Sequence, residues 1–380
     1  MINEKIDCLC SQIHSLDLNN THSVQSEERR NRSGIFAYTI AGAEQFAGPN
    51  SVCCDKNGNI FVSDFDVRLN SIHKISKIAP NGKVSTLAGS TQGNRDGIGT
   101  EAQFYFPTDL CIDEQETIYV TSFYKPDNND YFKSAICRMR KVSLDGVVST
   151  TATVKVKGTM YQMGICVDRQ GNLVIADANT DMIRRATANG VVSTTAGSRS
   201  GYHDDSATYA KFCIPWAVCM DNQSNILVAD YGNNRIRKVS PEGIVSTIAG
   251  SQPGYRDGLG SEALFKSPTG ICVDNKDNIY VADEGNNKIR KITPTGDVST
   301  VCGSDQDNGW GEIQLNGPRG MCVNRHGNLV IADRGNKRVR IIAFPEMTKF
   351  VILCLQNIPN VVLLPEIIKY IANIHFSKIL

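Results

Sequence analysis

A block of about fifty residues recurs six times along this chain, and that recurrence constrains its fold more than any single residue does. One copy reads GICVD, NIYVAD, GNNKIRKI and GDVSTV between 270 and 301. Taking the residue after the first short apolar run as a marker gives Asp55, Asp113, Asp168, Asp221, Asp274 and Asn324, at spacings of 58, 55, 53, 53 and 50. A period of that size, holding several short strand-like runs separated by Gly, Asn and Pro, is the signature of a radially repeated β-sheet unit. Function in such an array is expected on its rims.

Within the copy at 268–303, TGICVD and NIYVAD flank the turn Asn275-Lys276-Asp277-Asn278 and form an antiparallel hairpin. KIRKIT and DVSTVCG form a second hairpin around Pro294-Thr295-Gly296. Four strands make one blade, which cannot bury both faces alone and must stack on neighbours. The sixth copy has three strands near 319–343 and then runs into Phe344-Pro345, with no VSTIAG strand following. The run Phe36-Ala37-Tyr38-Thr39-Ile40-Ala41-Gly42 aligns with residues 244–250 and can supply the missing strand, which removes two exposed sheet edges. The predicted class is all-β: a six-bladed β-propeller over 35–344, closed by an N-terminal strand. A flexible segment at 1–34, rich in Asn, Ser and charge, precedes it, and a short helical tail at 345–380 follows.

The repeat, written P-x-G-h-x-V-D-x-x-G-N-h-x-V-A-D-x-x-N-x-R-h-R-K-h, resembles that of the NHL repeat family, whose members fold as six-bladed β-propellers. The resemblance covers about residues 35–344. The second copy departs most. Ser122 stands where other copies have Asp, YKPDNNDYFKSA lengthens its second loop, and VKVKGTMYQM replaces the Gly-Asp-Gly connector.

Lys and Arg number 40 against 39 Asp and Glu, a net charge of +1, so bulk charge implies neither nucleic acid nor an anionic membrane surface. No apolar run reaches the roughly 18 residues of a spanning helix, and the N-terminus lacks the apolar core of a signal peptide. A soluble cytoplasmic protein is the expectation. Six of the 13 cysteines, Cys53, Cys111, Cys166, Cys219, Cys272 and Cys322, occupy one strand position, one per copy. Equivalent positions in separate blades are expected to lie beyond the roughly 7 Å that a disulfide spans, so these thiols read as small fillers between blades. Cys8-Leu9-Cys10 is too tight for a usual zinc site, and free thiols on this scale favour a reducing compartment.

Two charged columns recur. Asp64, Asp177, Asp230, Asp283 and Asp333 end the second strand before Gly-Asn or Asn-Asn loops, where Asp accepts backbone N–H bonds. Arg140, Arg184, Arg237, Arg290 and Arg340 lie on the third strand, with Lys74, Arg138, Arg235, Lys288 and Arg338 two residues earlier on the same face. The favoured reading pairs these cations with the repeated aspartates. The other makes them a basic rim for single-stranded RNA, as in some NHL propellers. The resemblance also admits amidating lyases that hold zinc with histidines in the channel. Here His73 and His203 fall on one rim and His326 on the opposite one, so the three do not converge. With no Ser/His/Asp set, P-loop or dinucleotide fingerprint, no catalytic residue, metal or cofactor is assigned.

Positions that break the repeat on one rim are better binding candidates than positions that obey it, because the repeat encodes the scaffold. The column after the repeat Pro reads Asn50, Thr108, Met163, Trp216, Thr269 and Arg319, and the next reads Ser51, Asp109, Gly164, Ala217, Gly270 and Gly320, with Asp109 the departure. The connectors add Tyr202, Tyr255, Arg256 and Trp310. Asn50, Thr108, Asp109, Tyr202, Trp216, Tyr255, Arg256, Thr269, Trp310 and Arg319 are therefore the predicted partner-binding residues, for a protein or peptide on one rim.

In the tail, Ile367, Ile368, Ile371, Ile374 and Ile379 fall near helical spacing, with Pro365 suited to a first turn. Leu364-Pro365-Glu366-Ile367 and Ile371 resemble the start of an F-box. That resemblance implies recruitment of a Skp1-type adaptor of a ubiquitin ligase through Leu364, Pro365, Ile367, Ile368 and Ile371. A helix packed on the propeller flank explains the same spacing and is favoured. The sequence as a whole points to a non-catalytic interaction propeller, with RNA binding as the second reading and a metal-dependent lyase or lactonase as the third.

Overall fold

The computed structural model describes residues 29–30, 35–66, 72–124, 135–156, 162–303 and 313–344. Among them, six antiparallel sheets form the blades of a propeller. Blade one is built from Pro49–Cys54, Ile60–Phe65, His73–Ile78 and Val84–Ser90, from channel to periphery. Blade two uses Pro107–Ile112, Ile118–Tyr124, Ala135–Val142 and Val147–Val156, and blade three Met163–Val167, Leu173–Asp177, Met182–Ala186 and Val192–Ala196. Blade four comprises Pro215–Met220, Ile226–Asp230, Arg235–Val239 and Val245–Ala249, and blade five Pro268–Val273, Ile279–Asp283, Lys288–Ile292 and Asp297–Cys302.

Blade six takes Pro318–Val323, Leu329–Asp333 and Arg338–Ala343 from the end of the repeat and its outermost strand, Phe36–Ala41, from the beginning. The pairing is antiparallel, with Thr39 opposite Arg340 and a register shift between Thr39 and Ala41. The third and fourth strands of the other blades carry a shift in the same place, for example between Ile236 and Arg237 and between Ile289 and Arg290. The N-terminal strand thus reproduces the geometry of the strand it replaces. Arg29–Arg30 adds a short ladder outside it, within the segment expected to be flexible. Most of that segment, Trp310 and the whole tail at 345–380, with its proposed helix and F-box-like residues, lie outside the described residues.

Second strands such as Ile226–Asp230 and Leu329–Asp333 are buried at every residue because each is sandwiched between two neighbouring blades. Outer strands such as Val192–Ala196 are largely exposed. The apolar core accordingly divides into six slabs, one per blade interface, and each holds one cysteine of the repeated column. The innermost strands approach so closely that a Cβ on Gly270 would sit 2.0 Å from the Arg319 carbonyl oxygen. This explains why that column is small in five blades.

Candidate functional site

The arginine column is spent on the scaffold. Arg237 and Arg290 are fully buried, and each meets the repeat Asp of its own blade at 2.8 Å, Asp230 and Asp283. Arg340 pairs with Asp333 at 2.8 Å and Arg184 with Asp177 at 2.6 Å. Connector aspartates supply a second carboxylate to Arg237 (Asp204) and Arg290 (Asp257), and in blade two, where Ser122 replaces the repeat Asp, Asp96 supplies the carboxylate for Arg140. Burial pushes Asp230 up, to about 6, against the pull of Asn233, Arg237 and the Cys213 N–H.

Tyr202 and Tyr255 belong to these clamps. The Tyr202 ring lies 3.9 Å from the Arg235 guanidinium and 5.0 Å from that of Arg237, and its hydroxyl reaches Thr247 Oγ1 at 3.2 Å. Tyr255 covers Lys288 at 4.7 Å and Arg290 at 5.1 Å, and its hydroxyl reaches Thr300 at 3.1 Å. Both rings stay about half exposed, over the third and fourth strands. Arg256 is exposed beside Tyr255, and its Nε donates to the Glu262 carbonyl.

The remaining predicted residues meet at the mouth of the channel. Asn50 is buried and donates to the Thr108 carbonyl and to Gln162 Oε1, while Gln162 Nε2 donates to the same carbonyl at 3.0 Å. The Oδ1 of Asn50 accepts from two guanidiniums, Arg319 at 2.9 Å and Arg334 at 3.0 Å. Arg319 Nε donates to Glu284 at 3.0 Å, and its guanidinium lies 5.4 Å from the Trp216 ring. Trp216 stacks on Tyr231 at 4.8 Å and 24°. Thr269 is buried and donates to the Pro318 and Ala282 carbonyls. The network draws on all six blades.

Asp109 lies deeper, in the channel wall. Its Oδ2 accepts the Ile165 N–H of blade three at 2.8 Å, and burial pushes its carboxyl up to about 6. The channel is a cavity of about 230 Å³ walled by the innermost strands, including Asp109, Cys54, Cys111, Cys219 and Cys322. That volume holds several waters at about 30 Å³ each and is below the roughly 300 Å³ at which drug-sized pockets begin.

Arg334, Glu284 and Tyr231 escaped the sequence reading, yet a signal existed. The position after the repeat Asp reads Phe65, Phe123, Ala178, Tyr231, Glu284 and Arg334, a variable column inside a constant motif. Three of these open 3-10 turns, at Tyr231–Asn233, Glu284–Asn286 and Arg334–Asn336, that raise the side chain beside the mouth.

The three histidines among the described residues occupy three separate places. His73 is buried, and its Nδ1 accepts the Phe106 N–H at 2.9 Å. His203 is exposed beside Asp205 at 3.2 Å, and His326 accepts from its neighbour Arg325. Among the described residues no three His, Cys, Asp or Glu side chains are grouped to hold a metal ion, and no helix is long and apolar enough to cross a membrane.

The pattern that defines the NHL repeat matches residues 212–239, 265–292 and 315–342. NHL repeat-containing protein 2 of Bos taurus is 39% identical over 104 residues, 27% of this chain and 14% of that protein. Teneurin-4 of Mus musculus is 23% identical over 315 residues, 73% of this chain and 11% of that protein. The chain therefore spans a small part of these relatives' length. Among solved structures, a protein of unknown function from Bacteroides thetaiotaomicron superposes with a TM-score of 0.59 at 18% identity, over 81% of this chain and 76% of that one. A candidate gluconolactonase does so with a TM-score of 0.53 at 13% identity, over 84% of this chain and 98% of that one. At these identities the likeness is one of fold, which serves binding and catalysis alike. Repeat pattern, relatives and architecture agree: the chain carries NHL repeats and closes them into a six-bladed β-propeller.

Proposed function

We propose that the channel mouth is a protein-interaction site that takes an acidic segment of a partner. The observation that carries this reading is Arg334. Its Nη1 donates to the Gly48 carbonyl and to Asn50, and its guanidinium lies over the Phe65 ring at 4.6 Å, but it forms no ion pair with a carboxylate among the described residues. Burial, and then the charge of Arg319, lower it to about 10, against the weaker pull of Glu284, Asp64 and Asp66. A half-buried cation without a direct counter-ion is an unfavourable state that an incoming carboxylate relieves. Arg319 beside it has one carboxylate, Glu284, so two guanidiniums face one direct partner. The Trp216–Tyr231 stack supplies a flat apolar wall, and Trp, Tyr and Arg are the residue types that dominate interaction hot spots.

The clamped arginine column removes most of the cations on which an RNA-binding rim would draw. No catalytic residue is assigned. An adaptor-recruiting role for residues 345–380 rests on the F-box-like sequence alone, and loss of Skp1-type adaptor binding on deleting that segment is its test. For the mouth, Glu-rich peptides and their Gln counterparts are compared by fluorescence polarisation on the intact chain, with single-stranded RNA as a third probe. Binding of the Glu peptides that is lost in the Trp216→Ala/Arg319→Ala double variant supports the reading. Equal binding of Gln peptides, preference for RNA, or an indifferent double variant overturns it.

A further inference from the structure

The seam of the ring lies at blade six, where strands from the end of the repeat meet the N-terminal strand Phe36–Ala41, which continues through 42–48 into the innermost strand of blade one. Phe36–Ala41 closes it on the outside. On the channel side stand two thiols. Cys54 ends the innermost strand of blade one, Cys322 lies in that of blade six, and their sulfurs are 3.3 Å apart. Both are free, both pack in the same interface slab, and both keep part of their surface on the channel.

Cys54 breaks the repeat. The column cysteine of blade one is Cys53, and the position after it holds Ile112, Val167, Met220, Val273 and Val323 in the other blades. A second thiol is therefore added where the C-terminal strands of blade six, which carry Cys322, meet the N-terminal part of the chain through strand pairing and packing alone. We propose that Cys54 and Cys322 form an oxidisable dithiol whose disulfide welds blade six to blade one.

The geometry needs a closing movement of about 1.3 Å, from 3.3 Å to the 2.05 Å of a disulfide, which small side-chain rotations supply. The oxidant is a peroxide. The contact with Cys54 and burial hold the proton on Cys322, which assigns the first attack to Cys54 and the second to Cys322. The Cys54 thiolate attacks one peroxide oxygen, the O–O bond breaks, hydroxide leaves and a sulfenic acid forms. Cys322 then attacks the Cys54 sulfur, the S–O bond breaks, and hydroxide departs and is protonated. In sum, two thiols and one hydrogen peroxide give one disulfide and two waters; the sulfurs are oxidised and the peroxide oxygens reduced. The bond encloses the chain from 54 to 322, so it restricts the unfolded chain while leaving the blades as they are.

The test uses the reduced full chain exposed to hydrogen peroxide, then alkylated, with intact-mass measurement, peptide mapping and urea unfolding. The expected result is one disulfide joining the peptides of Cys54 and Cys322, a mass lower by two hydrogen atoms before alkylation, and a urea midpoint that rises on oxidation and falls back with dithiothreitol. Cys54→Val, which installs the residue other blades use there, and Cys322→Ser should each abolish the bond while retaining the native circular dichroism spectrum. Cys53→Ser should keep it. A different cysteine pairing, oxygen adducts without a cross-link, or a midpoint that oxidation does not move would each overturn the proposal.

Discussion

The Oδ1 of Asp204 lies 2.6 Å from Nη2 and 3.0 Å from Nε of Arg237, although one residue sits in a connector and the other in the middle of a third strand. The other oxygen of the same carboxylate accepts the Thr247 N–H of the outermost strand at 3.0 Å. Asp257 likewise takes Nη2 of Arg290 at 2.7 Å with one oxygen and the Thr300 N–H at 3.0 Å with the other. Each connector is thereby fastened across two strands, with a buried Arg as the fixed point. Arg237→Leu leaves Asp230 buried without its partner and is expected to cost about 3–5 kcal/mol. Asp204→Ala leaves the Arg237–Asp230 pair intact and should cost less, about 1–3 kcal/mol. Urea unfolding of the two variants measures the order; equal losses would contradict it.

His73 gives the fold an acid-sensitive point. Phe106 has a positive φ of 46° and its N–H is held by the His73 ring. In other blades Asn234 and Asn287 hold the equivalent N–H groups of Ser267 and Gly317. Burial lowers His73 from its ordinary 6.5 to about 4. A group depressed in the folded state stabilises it above the unfolded value and loses that contribution as pH falls through the folded one, here between about 6.5 and 4. His73→Asn should keep the N–H bond and abolish this part of the acid loss, read as urea midpoints from pH 7 to pH 4.

Asp109 carries the opposite sign. Burial raises it from 3.8 to about 6, against hydrogen bonds from Ser51, Ile165 and Leu110. A carboxyl raised in the folded state favours folding below its unfolded value, and that contribution disappears as pH climbs past the folded value. Relative to Asp109→Asn, the wild-type chain should lose up to about 3 kcal/mol between acid and neutral pH. A difference between the two proteins that is flat across that range would show that Asp109 stays ionised in the fold.

Arg334 should separate binding from stability. Replacing a half-buried cation that has no carboxylate partner among the described residues with Met removes the burial cost together with the Phe65, Gly48 and Asn50 contacts, so Arg334→Met is expected to stay within about 1 kcal/mol of the wild type. Binding of a Glu-rich peptide should weaken tenfold or more, a loss of about 1.4 kcal/mol or greater. Thermal unfolding and polarisation titration on the same preparation read both. Parallel losses would make Arg334 a scaffold residue.

What the sequence displayed follows from what a repeat can encode. Blade number, hairpin turns, the closing strand and the pairing of Arg237 with Asp230 all lie within one period or recur at every period. The mouth does not. Asn50, Gln162, Arg319 and Glu284 belong to four blades, and only closure brings them together. Tyr202 and Trp216 both break the pattern on one rim, but the first covers a third-strand arginine and the second faces the channel mouth. Likewise Cys54 and Cys322, 268 positions apart, become neighbours at the seam.

The closing strand makes the sharpest structural prediction. Ala37, Thr39 and Ala41 are buried, and Ala37 packs in the slab between blades five and six while Ala41 packs in that between six and one. A chain lacking residues 1–42 loses that burial and bares the edge of Arg338–Ala343, whose backbone groups then lack their ladder partners. An open, apolar edge of this kind recruits another strand. The shortened chain should therefore associate with itself at concentrations where the full chain does not, and amide exchange should accelerate first in 338–343 and then in Leu329–Asp333, while blades three and four keep their protection. Hydrogen exchange with size-exclusion chromatography decides it. Uniform loss of protection around the ring would mean that the blades fold as one cooperative unit, and unchanged protection would mean that the N-terminal strand contributes little to closure.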